Sequence, residues 1–223
     1  MSDPSRCESY IQFHHQGKFG VTPPTLATDE EKGPSSSLKF VCLAARFGVL
    51  CVATGTDLAF LSVKNMSSRF DGEGMRIIST QGGEYEEGRA LLGKKILGIG
   101  LSSSEKYLCV MFEGSVQVYD FPSLFYAKRN GKIPNAKMMV NTKSCEKVLF
   151  EWSKCLDTDT LLMSDSEQLH VLNPDKECKT TCEFTGYKVY SMDWSPDAEF
   201  KEAAILGTTK GIVCVPNVRG DMT

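Results

Sequence analysis

A repeat around the two tryptophans constrains the fold of this chain more than any other feature. Trp152 and Trp194 stand 42 residues apart in matching contexts, Phe150-Glu151-Trp152-Ser153 and Met192-Asp193-Trp194-Ser195. In the same register, residues 160–163 fall on residues 202–205. A period of about 40–45 residues is typical of repeated units that hold four short strands each. We expect both tryptophans in the repeat core, buried in equivalent places, with Leu149 or Phe150 and Met192 near the interface between neighbouring units.

Short apolar segments separated by turn residues predict an all-β chain. From Leu38 onward no stretch keeps the three-and-four spacing of an amphipathic helix for long, so helix is expected to be nearly absent. Each group of segments is typical of an antiparallel meander of strands joined by brief turns. The groups cover about residues 38–66, 95–126, 147–184 and 188–223.

These groups predict a β-propeller of degenerate four-stranded blades. About four blades are visible, too few to close a ring of about six to eight, so an incomplete ring or a fragment of a longer protein is expected. A partner that completes the sheet is the alternative, because open strand edges and an uncovered blade face promote aggregation. Residues 1–37 are polar and contain four prolines. They predict an extended N-terminal arm with a short strand around Tyr10–Phe13.

Charge and hydropathy exclude several classes of protein. The net charge is −3, from 25 basic and 28 acidic residues, which argues against a protein that grips nucleic acid with its whole surface. No stretch approaches the roughly 18 apolar residues of a membrane-spanning helix. The N-terminus lacks the basic and apolar regions of a secretion signal. We therefore expect a chain of the cytoplasm or nucleus.

The cysteine pattern predicts neither a disulfide framework nor a metal site. Nine cysteines are scattered along the chain, an odd count without a secretion signal. Cys178 and Cys182 form the only close pair, and a zinc site would need two further ligands nearby. Neither a metal nor another cofactor is expected.

Candidate catalytic motifs have simpler structural explanations. The segment 88–95 nearly matches a phosphate-binding loop, but Lys95 replaces the hydroxyl residue that would hold Mg²⁺, and an inter-blade loop is the better interpretation. Cys145 and Cys155 are possible nucleophiles that need a base. His170, the sole histidine of the repeat region, sits in an alternating strand pattern, which favours a surface or inter-blade position. No enzyme and no small-molecule substrate are therefore expected.

A Gly-rich acidic insert is the strongest candidate for partner binding. Residues 71–89 include five acidic and two basic residues. Long loops on rigid scaffolds often carry binding sites. We expect a poorly ordered loop that steers a basic protein partner, mainly through the association rate. A solvated loop with no partner is the alternative. The candidate residues are Asp71, Glu73, Glu84, Glu86 and Glu87.

Two further motifs carry a family resemblance. Trp194-Ser195-Pro196-Asp197 resembles the turn of WD40-like blades, although the usual Gly-His and Trp-Asp dipeptides are missing, so the propeller is divergent. Residues 47–55 (Phe-Gly-Val-Leu-Cys-Val-Ala-Thr-Gly) and 58–61 (Leu-Ala-Phe-Leu) resemble the opening blade of a nucleoporin family. The N-terminal propeller of that family lies on the cytoplasmic filaments of the nuclear pore and docks the DEAD-box helicase of mRNA export.

The resemblance, which covers about residues 38–215, implies a non-enzymatic scaffold of the nuclear pore complex. Such a scaffold recruits an mRNA-export factor at the cytoplasmic face through contacts with the helicase and other nucleoporins, without direct contact with nucleic acid or membrane. Two alternatives stay open. One is a propeller adaptor in a vesicle coat, a kinetochore or a ubiquitin ligase. The other is a propeller enzyme with its active site at the channel mouth.

Overall fold

Most of the described residues belong to β-strands that are separated by short segments of sequence. The computed structural model describes residues 18–21, 40–64, 75–78, 86–130, 132–142, 148–154, 159–165, 168–183, 186, 188–195 and 203–215. The first strands are β1 (Lys18–Val21), β2 (Val41–Ala44), β3 (Val49–Thr54), β4 (Asp57–Ser62), β5 (Met75–Ile78) and β6 (Glu86–Leu91). Next come β7 (Ile96–Leu101), β8 (Tyr107–Phe112), β9 (Ser115–Asp120), helix α1 (Phe121–Asn130) and β10 (Met138–Asn141). The last are β11 (Val148–Trp152), β12 (Leu161–Asp165), β13 (Gln168–Asn173), β14 (Cys178–Glu183), β15 (Val189–Ser195), β16 (Ala203–Thr208) and β17 (Gly211–Val215).

Four antiparallel sheets result, each with its strands in chain order. Sheet 1 has the order β2-β3-β4-β6, sheet 2 β7-β8-β9-β10, sheet 3 β11-β12-β13-β14, and sheet 4 β15-β16-β17. The first strands of successive sheets contact each other, β2 with β7, β7 with β11, and β11 with β15. The inner edges of the four sheets therefore lie next to one another, as in the blades of an incomplete propeller. The predicted all-β fold class is confirmed.

Apolar side chains fill the interfaces between neighbouring sheets. Strand β8 is buried over its whole length because sheet 2 has a neighbour on each face. Such a strand is expected to be apolar throughout rather than alternating, as Tyr107–Phe112 is. The interface between sheets 1 and 2 contains Phe60 and Leu108, that between sheets 2 and 3 contains Met163, and that between sheets 3 and 4 contains Leu206.

The two tryptophans confirm the prediction made from the repeat. Trp152 ends β11 and Trp194 lies near the end of β15, with 6% and 4% of their surfaces exposed. Each indole Nε1 donates a hydrogen bond to a carbonyl on the inner strand of the preceding sheet, Trp152 to Gly100 at 2.8 Å and Trp194 to Glu151 at 3.3 Å. Leu149 and Met192 pack in the interface between sheets 3 and 4, as expected. The sequence repeat therefore corresponds to a repeated contact, in which each tryptophan donates a hydrogen bond to the preceding sheet.

Helix α1 and two outer strands were not predicted. Helix was expected to be nearly absent, but residues 121–130 are helical, and β6 and β10 lie outside the predicted blade ranges. The helix begins where the Asp120 Oδ2 accepts a hydrogen bond from the Ser123 N–H at 2.9 Å, which satisfies one of the unpaired amides of the first turn. Its apolar residues Phe121 and Leu124 are fully buried against sheets 1 and 2.

The predicted arm contributes one described strand. Strand β1 pairs in parallel with β5, whereas the strand expected at Tyr10–Phe13 lies outside the described residues. The division of the chain into an arm over 1–37 and a propeller over 38–223 stays a prediction. Among the described residues, no helix is long and apolar enough to cross a membrane.

Candidate functional site

The inner edges of sheets 1, 2 and 3 enclose a cavity of about 390 Å³, which we call the inner cavity. Its walls come from β2, from β7 with the turn that follows it, and from β11. Val41 and Leu43 of β2 line it with 39% and 55% of their surfaces exposed. Concave sites with apolar walls and a few polar groups are typical binding sites, so the inner cavity is the candidate functional site.

The wall between β7 and β11 depends on a glycine. A Cβ on Gly100 would lie only 2.7 Å from Cε2 of Phe150, so the ring packs directly against the backbone there. The Gly100 carbonyl also accepts the Trp152 hydrogen bond, and Ser103 Oγ donates to the Ser153 carbonyl at 2.7 Å. These contacts hold β7 and β11 close together and fix one side of the cavity.

Two glutamates give the inner cavity its acidic character. The carboxylate of Glu105 accepts hydrogen bonds from the backbone amides of Ala45 at 3.0 Å and Arg46 at 2.9 Å. Arg46 Nη1 in turn donates to the Ser104 carbonyl at 3.0 Å, which joins the turn after β7 to the 3₁₀ turn after β2. Glu151 of β11 also lines the cavity. Acidic residues beside apolar walls favour a ligand that combines apolar and basic groups.

A second polar cluster joins sheets 2 and 3 and begins in the turn after β7. Ser104 Oγ donates to Asp159 Oδ2 at 2.5 Å, and the Tyr107 hydroxyl donates to Asp175 Oδ1 at 2.8 Å. Burial, and then the Asp175 carboxylate, raise the pKa of Tyr107. A phenol held neutral in this way acts as a hydrogen-bond donor, so the cluster serves to fasten the two sheets.

His170 occupies the inter-blade position that the alternating pattern allows. It lies on β13, 3% exposed, on the sheet 3 face that packs against sheet 2. Its Nδ1 lies 2.9 Å from Thr181 Oγ1, and among the described residues its Nε2 has no hydrogen-bond partner. Burial first, and then Lys179, lower the pKa of His170 to about 4, against the opposing effect of Asp165. The candidate nucleophiles Cys145 and Cys155 lie outside the described residues.

This histidine should make stability depend on pH. In the unfolded chain His170 titrates near its ordinary pKa of 6.5, whereas in the fold it titrates near 4. Between these values the unfolded state binds a proton that the folded state does not, so stability falls as the pH falls from about 6.5 to 4. Changing His170 to Gln should remove roughly 1–3 kcal/mol of that loss. Urea unfolding at pH 7 and pH 4.5 measures it.

A measurement above both pKa values controls for effects of the exchange that do not involve the proton. From pH 7 to pH 8 the original chain and His170→Gln should change in stability by the same amount. If His170→Gln has the same pH dependence as the original chain between pH 7 and pH 4.5 as well, His170 is not held neutral by its burial.

The acidic insert is only partly a loop. Asp71, Glu73 and Glu84 lie outside the described residues, but Glu86 and Glu87 belong to β6, the outer strand of sheet 1. The expectation of a loop over residues 71–89 is therefore wrong at Met75–Ile78, which form β5, and at its C-terminal end. It fails at that end because β4 offers backbone hydrogen bonds that β6 takes up.

The two glutamates of β6 differ in their surroundings. Both carboxylate oxygens of Glu86 accept hydrogen bonds from Arg89, at 2.6 and 2.8 Å, and Arg89 Nη1 lies 4.0 Å from Asp57 Oδ2. Glu87 is exposed and lies where the register with β4 shifts, between the residues paired with Phe60 and Leu61. A bulge of this kind redirects a side chain at a sheet edge. Glu87 therefore presents charge at the edge, and its role in partner binding stays a prediction.

The remaining motifs have structural roles. The near phosphate-binding segment starts in β6 and leads into β7. Its Leu92 N–H already donates to the Thr56 carbonyl at 3.2 Å, and the Ile96 N–H directly after it donates to the Gly55 carbonyl at 2.7 Å. Cys178 and Cys182 lie four residues apart on β14, which separates their Cα atoms by roughly 13 Å. That is too far for both thiolates to hold one zinc ion.

The inner cavity escaped prediction because its residues are not contiguous in sequence. Glu105 is a single acid in a Ser-rich turn, and its partners lie about sixty positions earlier in the chain. One usable signal exists. An isolated glycine in a strand pattern, such as Gly100, often marks a close approach of another group.

Comparisons with known proteins identify the fold and no family. No protein-family model and no curated protein matches the chain. The structure is similar to the extracellular domain of a proposed one component system of B. thetaiotaomicron, with a TM-score of 0.51, 14% identity, and 92% of this chain against 25% of that one. A structure of a mitotic checkpoint complex is similar over 75% of this chain and 48% of that one, with a TM-score of 0.46 and 16% identity. The chain thus spans a quarter and about half of these two chains.

Proposed function

We propose that this chain is a non-enzymatic protein-interaction scaffold that binds a segment of a partner protein in the inner cavity. The observation that carries the proposal is that exposed apolar residues, Val41 and Leu43, and the acidic residues Glu105 and Glu151 line one concave site. An unused apolar surface inside a cavity marks a place where a partner gains by burial. The carboxylates favour a segment with a basic residue beside its apolar one.

The more specific proposal is a scaffold of the nuclear pore complex, at its cytoplasmic face, that recruits a DEAD-box helicase of mRNA export. Its support is the resemblance of residues 47–55 and 58–61 to the opening blade of a nucleoporin family. In the fold these residues form β3, its turn and most of β4, where Cys51 and Phe60 are fully buried. The resemblance thus concerns the core of sheet 1, and the helicase contact depends on surface residues that the family pattern leaves unspecified.

Localisation and capture test the specific proposal together. A fluorescently tagged chain should give a nuclear-rim signal, and the purified chain should capture nucleoporins and a DEAD-box helicase. Capture of other proteins without a rim signal would assign the scaffold to another assembly, such as a vesicle coat, a kinetochore or a ubiquitin ligase. Absence of both results would overturn the nuclear pore assignment.

Charge exchange tests whether the acidic edge of sheet 1 contributes. Replacing Glu87 by Gln should slow association with a basic partner by no more than a few-fold and weaken its salt dependence, because exposed charge pairs contribute about 0.2–1 kcal/mol. Glu113→Gln, in the exposed turn between β8 and β9, is the matched control with the same change of charge. Surface plasmon resonance at two salt concentrations measures both. Equal association rates in the original chain and Glu87→Gln would remove the acidic edge from the proposal.

Glu86 needs separate treatment in this experiment. Its bidentate pair with Arg89 is half-buried, so Glu86→Gln should also lower stability by a few tenths of a kcal/mol to about 1 kcal/mol. A variant that combines Glu86 and Glu87 would therefore mix a change in the fold with a change in binding. Glu87→Gln alone avoids that mixture.

A further inference from the structure

Two cysteines of sheet 1 oppose each other across neighbouring strands. Cys42 of β2 pairs with Cys51 of β3 in the antiparallel register. The Ala53 N–H donates to the Phe40 carbonyl at 2.9 Å, two residues away on each strand, so the cysteines also occupy a hydrogen-bonded pair position. Such pairs have Cα atoms about 5.5 Å apart, within the range of disulfide bonds.

The two thiols also share a face and a contact. Both side chains pack in the interface between sheets 1 and 2, and the Cys51 thiol is hydrogen-bonded with Cys42. Both cysteines are reduced in this structure. A thiol pair already in contact can form a bond without movement of the strands, which in a packed interface would be costly.

Access to the pair is one-sided. Cys51 is fully buried, whereas Cys42 is half-buried and lines the inner cavity. A small polar oxidant in the inner cavity therefore meets Cys42 first. Within the described residues no other two cysteines are paired in a strand register, and Cys109 is buried by itself on β8.

We propose that Cys42 and Cys51 form a redox-active dithiol that hydrogen peroxide, entering through the inner cavity, oxidises to a cross-strand disulfide. The Cys42 thiol gives up its proton and its sulfur attacks one oxygen of the peroxide. The O–O bond breaks, Cys42 becomes a sulfenic acid, and the other oxygen takes up the released proton and leaves as water. Cys51 then gives up its proton and its sulfur attacks the Cys42 sulfur. The S–O bond breaks and a second water leaves, so two thiols and one peroxide become one disulfide and two waters.

The order of the two steps follows from the surroundings of each thiol. The hydrogen bond with Cys42, and then burial, raise the pKa of Cys51, which therefore makes a poor first nucleophile. Its contact with Cys42 suits the resolving step, in which the attacking thiol needs proximity rather than access to solvent. Cys42 is thus the residue that peroxide oxidises and Cys51 the one that resolves it.

Peptide mapping tests the proposal directly. Trypsin cuts after Lys39, Arg46 and Lys64, so Cys42 and Cys51 fall in separate peptides, residues 40–46 and 47–64. After treatment of the folded chain with hydrogen peroxide and alkylation of the remaining thiols, mass spectrometry should find these two peptides joined. Dithiothreitol should separate them again and restore both thiols. Cys42 recovered as a sulfinic acid with Cys51 still a thiol would overturn the proposal.

Variants assign the two roles. Cys42→Ser should abolish the joined peptides and leave Cys51 as an unoxidised thiol, because peroxide does not reach it. Cys51→Ala should leave Cys42 as a sulfenic acid that a dimedone probe labels. Cys178→Ser, on the exposed strand β14, is the control and should leave the joined peptides at the level of the original chain. Oxidation of Cys51 at an unchanged rate in Cys42→Ser would overturn the assigned order.

Discussion

Truncating Trp152 to alanine should lower the free energy of unfolding by about 3–5 kcal/mol. The indole is buried in the interface between sheets 2 and 3, where its ring stacks on Tyr107 with centroids 6.4 Å apart. The truncation removes this packing and the hydrogen bond to the Gly100 carbonyl, which then lies buried without that donor. Urea unfolding followed by far-UV circular dichroism measures the loss.

A phenylalanine variant separates the packing and hydrogen-bond contributions of Trp152. Trp152→Phe retains most of the apolar surface and should lose only the hydrogen-bond contribution, about 1 kcal/mol or more.

Trp194→Ala makes the equivalent change in the next sheet, where the indole donates over the longer distance of 3.3 Å. It should therefore lower the free energy of unfolding by less than Trp152→Ala does. A loss below 1 kcal/mol for both alanine variants would contradict the role of the tryptophans as equivalent core residues.

Phe121→Ala should destabilise the fold by a similar amount, about 3–5 kcal/mol. Phe121 is fully buried at the start of α1 and joins an aromatic cluster between sheets 1 and 2. Its ring meets Phe47 edge-on at 5.0 Å, and Phe125 meets Phe60 edge-on at 5.4 Å. Truncation leaves a cavity in the interface that the helix closes.

The same helix supplies the control for this prediction. Tyr126 is 58% exposed and contacts only Phe125 among the aromatic rings of the described residues. Tyr126→Ala should therefore cost less than about 1 kcal/mol, as surface substitutions usually do. Chemical denaturation of both variants gives the comparison. Equal losses would mean that α1 does not fasten the two sheets through its buried face.

The middle strands of the sheets were predictable because their signal is local. Strands β3, β8 and β9 have apolar runs bounded by turn residues, and all three lie inside the predicted blade ranges 38–66 and 95–126. Strand β6 carries no such signal, since Glu-Glu-Gly-Arg-Ala-Leu has few residues that favour strands. It forms because the edge of β4 needs partners for its backbone groups, which is a tertiary effect.

Helix α1 has a local sequence signal that does not depend on hydrophobic periodicity. Asp120 followed by Pro122 is a usual start of a helix, with a capping side chain and a proline in the first turn. The inner cavity has a weaker sequence signal, because each of its walls comes from a different sheet. Its acidic residues, Glu105 and Glu151, are also isolated in sequence. The charge runs of the sequence point instead to the acidic segment before Arg89, and the structure pairs that arginine with Glu86.

The order of the strands affects how the protein folds while the ribosome is synthesising it. In sheets 2, 3 and 4 every strand pairs with its neighbour in the chain, so each sheet can form as soon as its own last strand emerges. Pairing over short sequence distances also costs little loop-closure entropy and favours fast folding. Sheet 1 is the exception, because β4 must wait for β6 across the intervening segment. Among the four antiparallel sheets, its outer edge is therefore where synthesis runs furthest ahead of pairing, and where the edge of a nascent chain stays open longest.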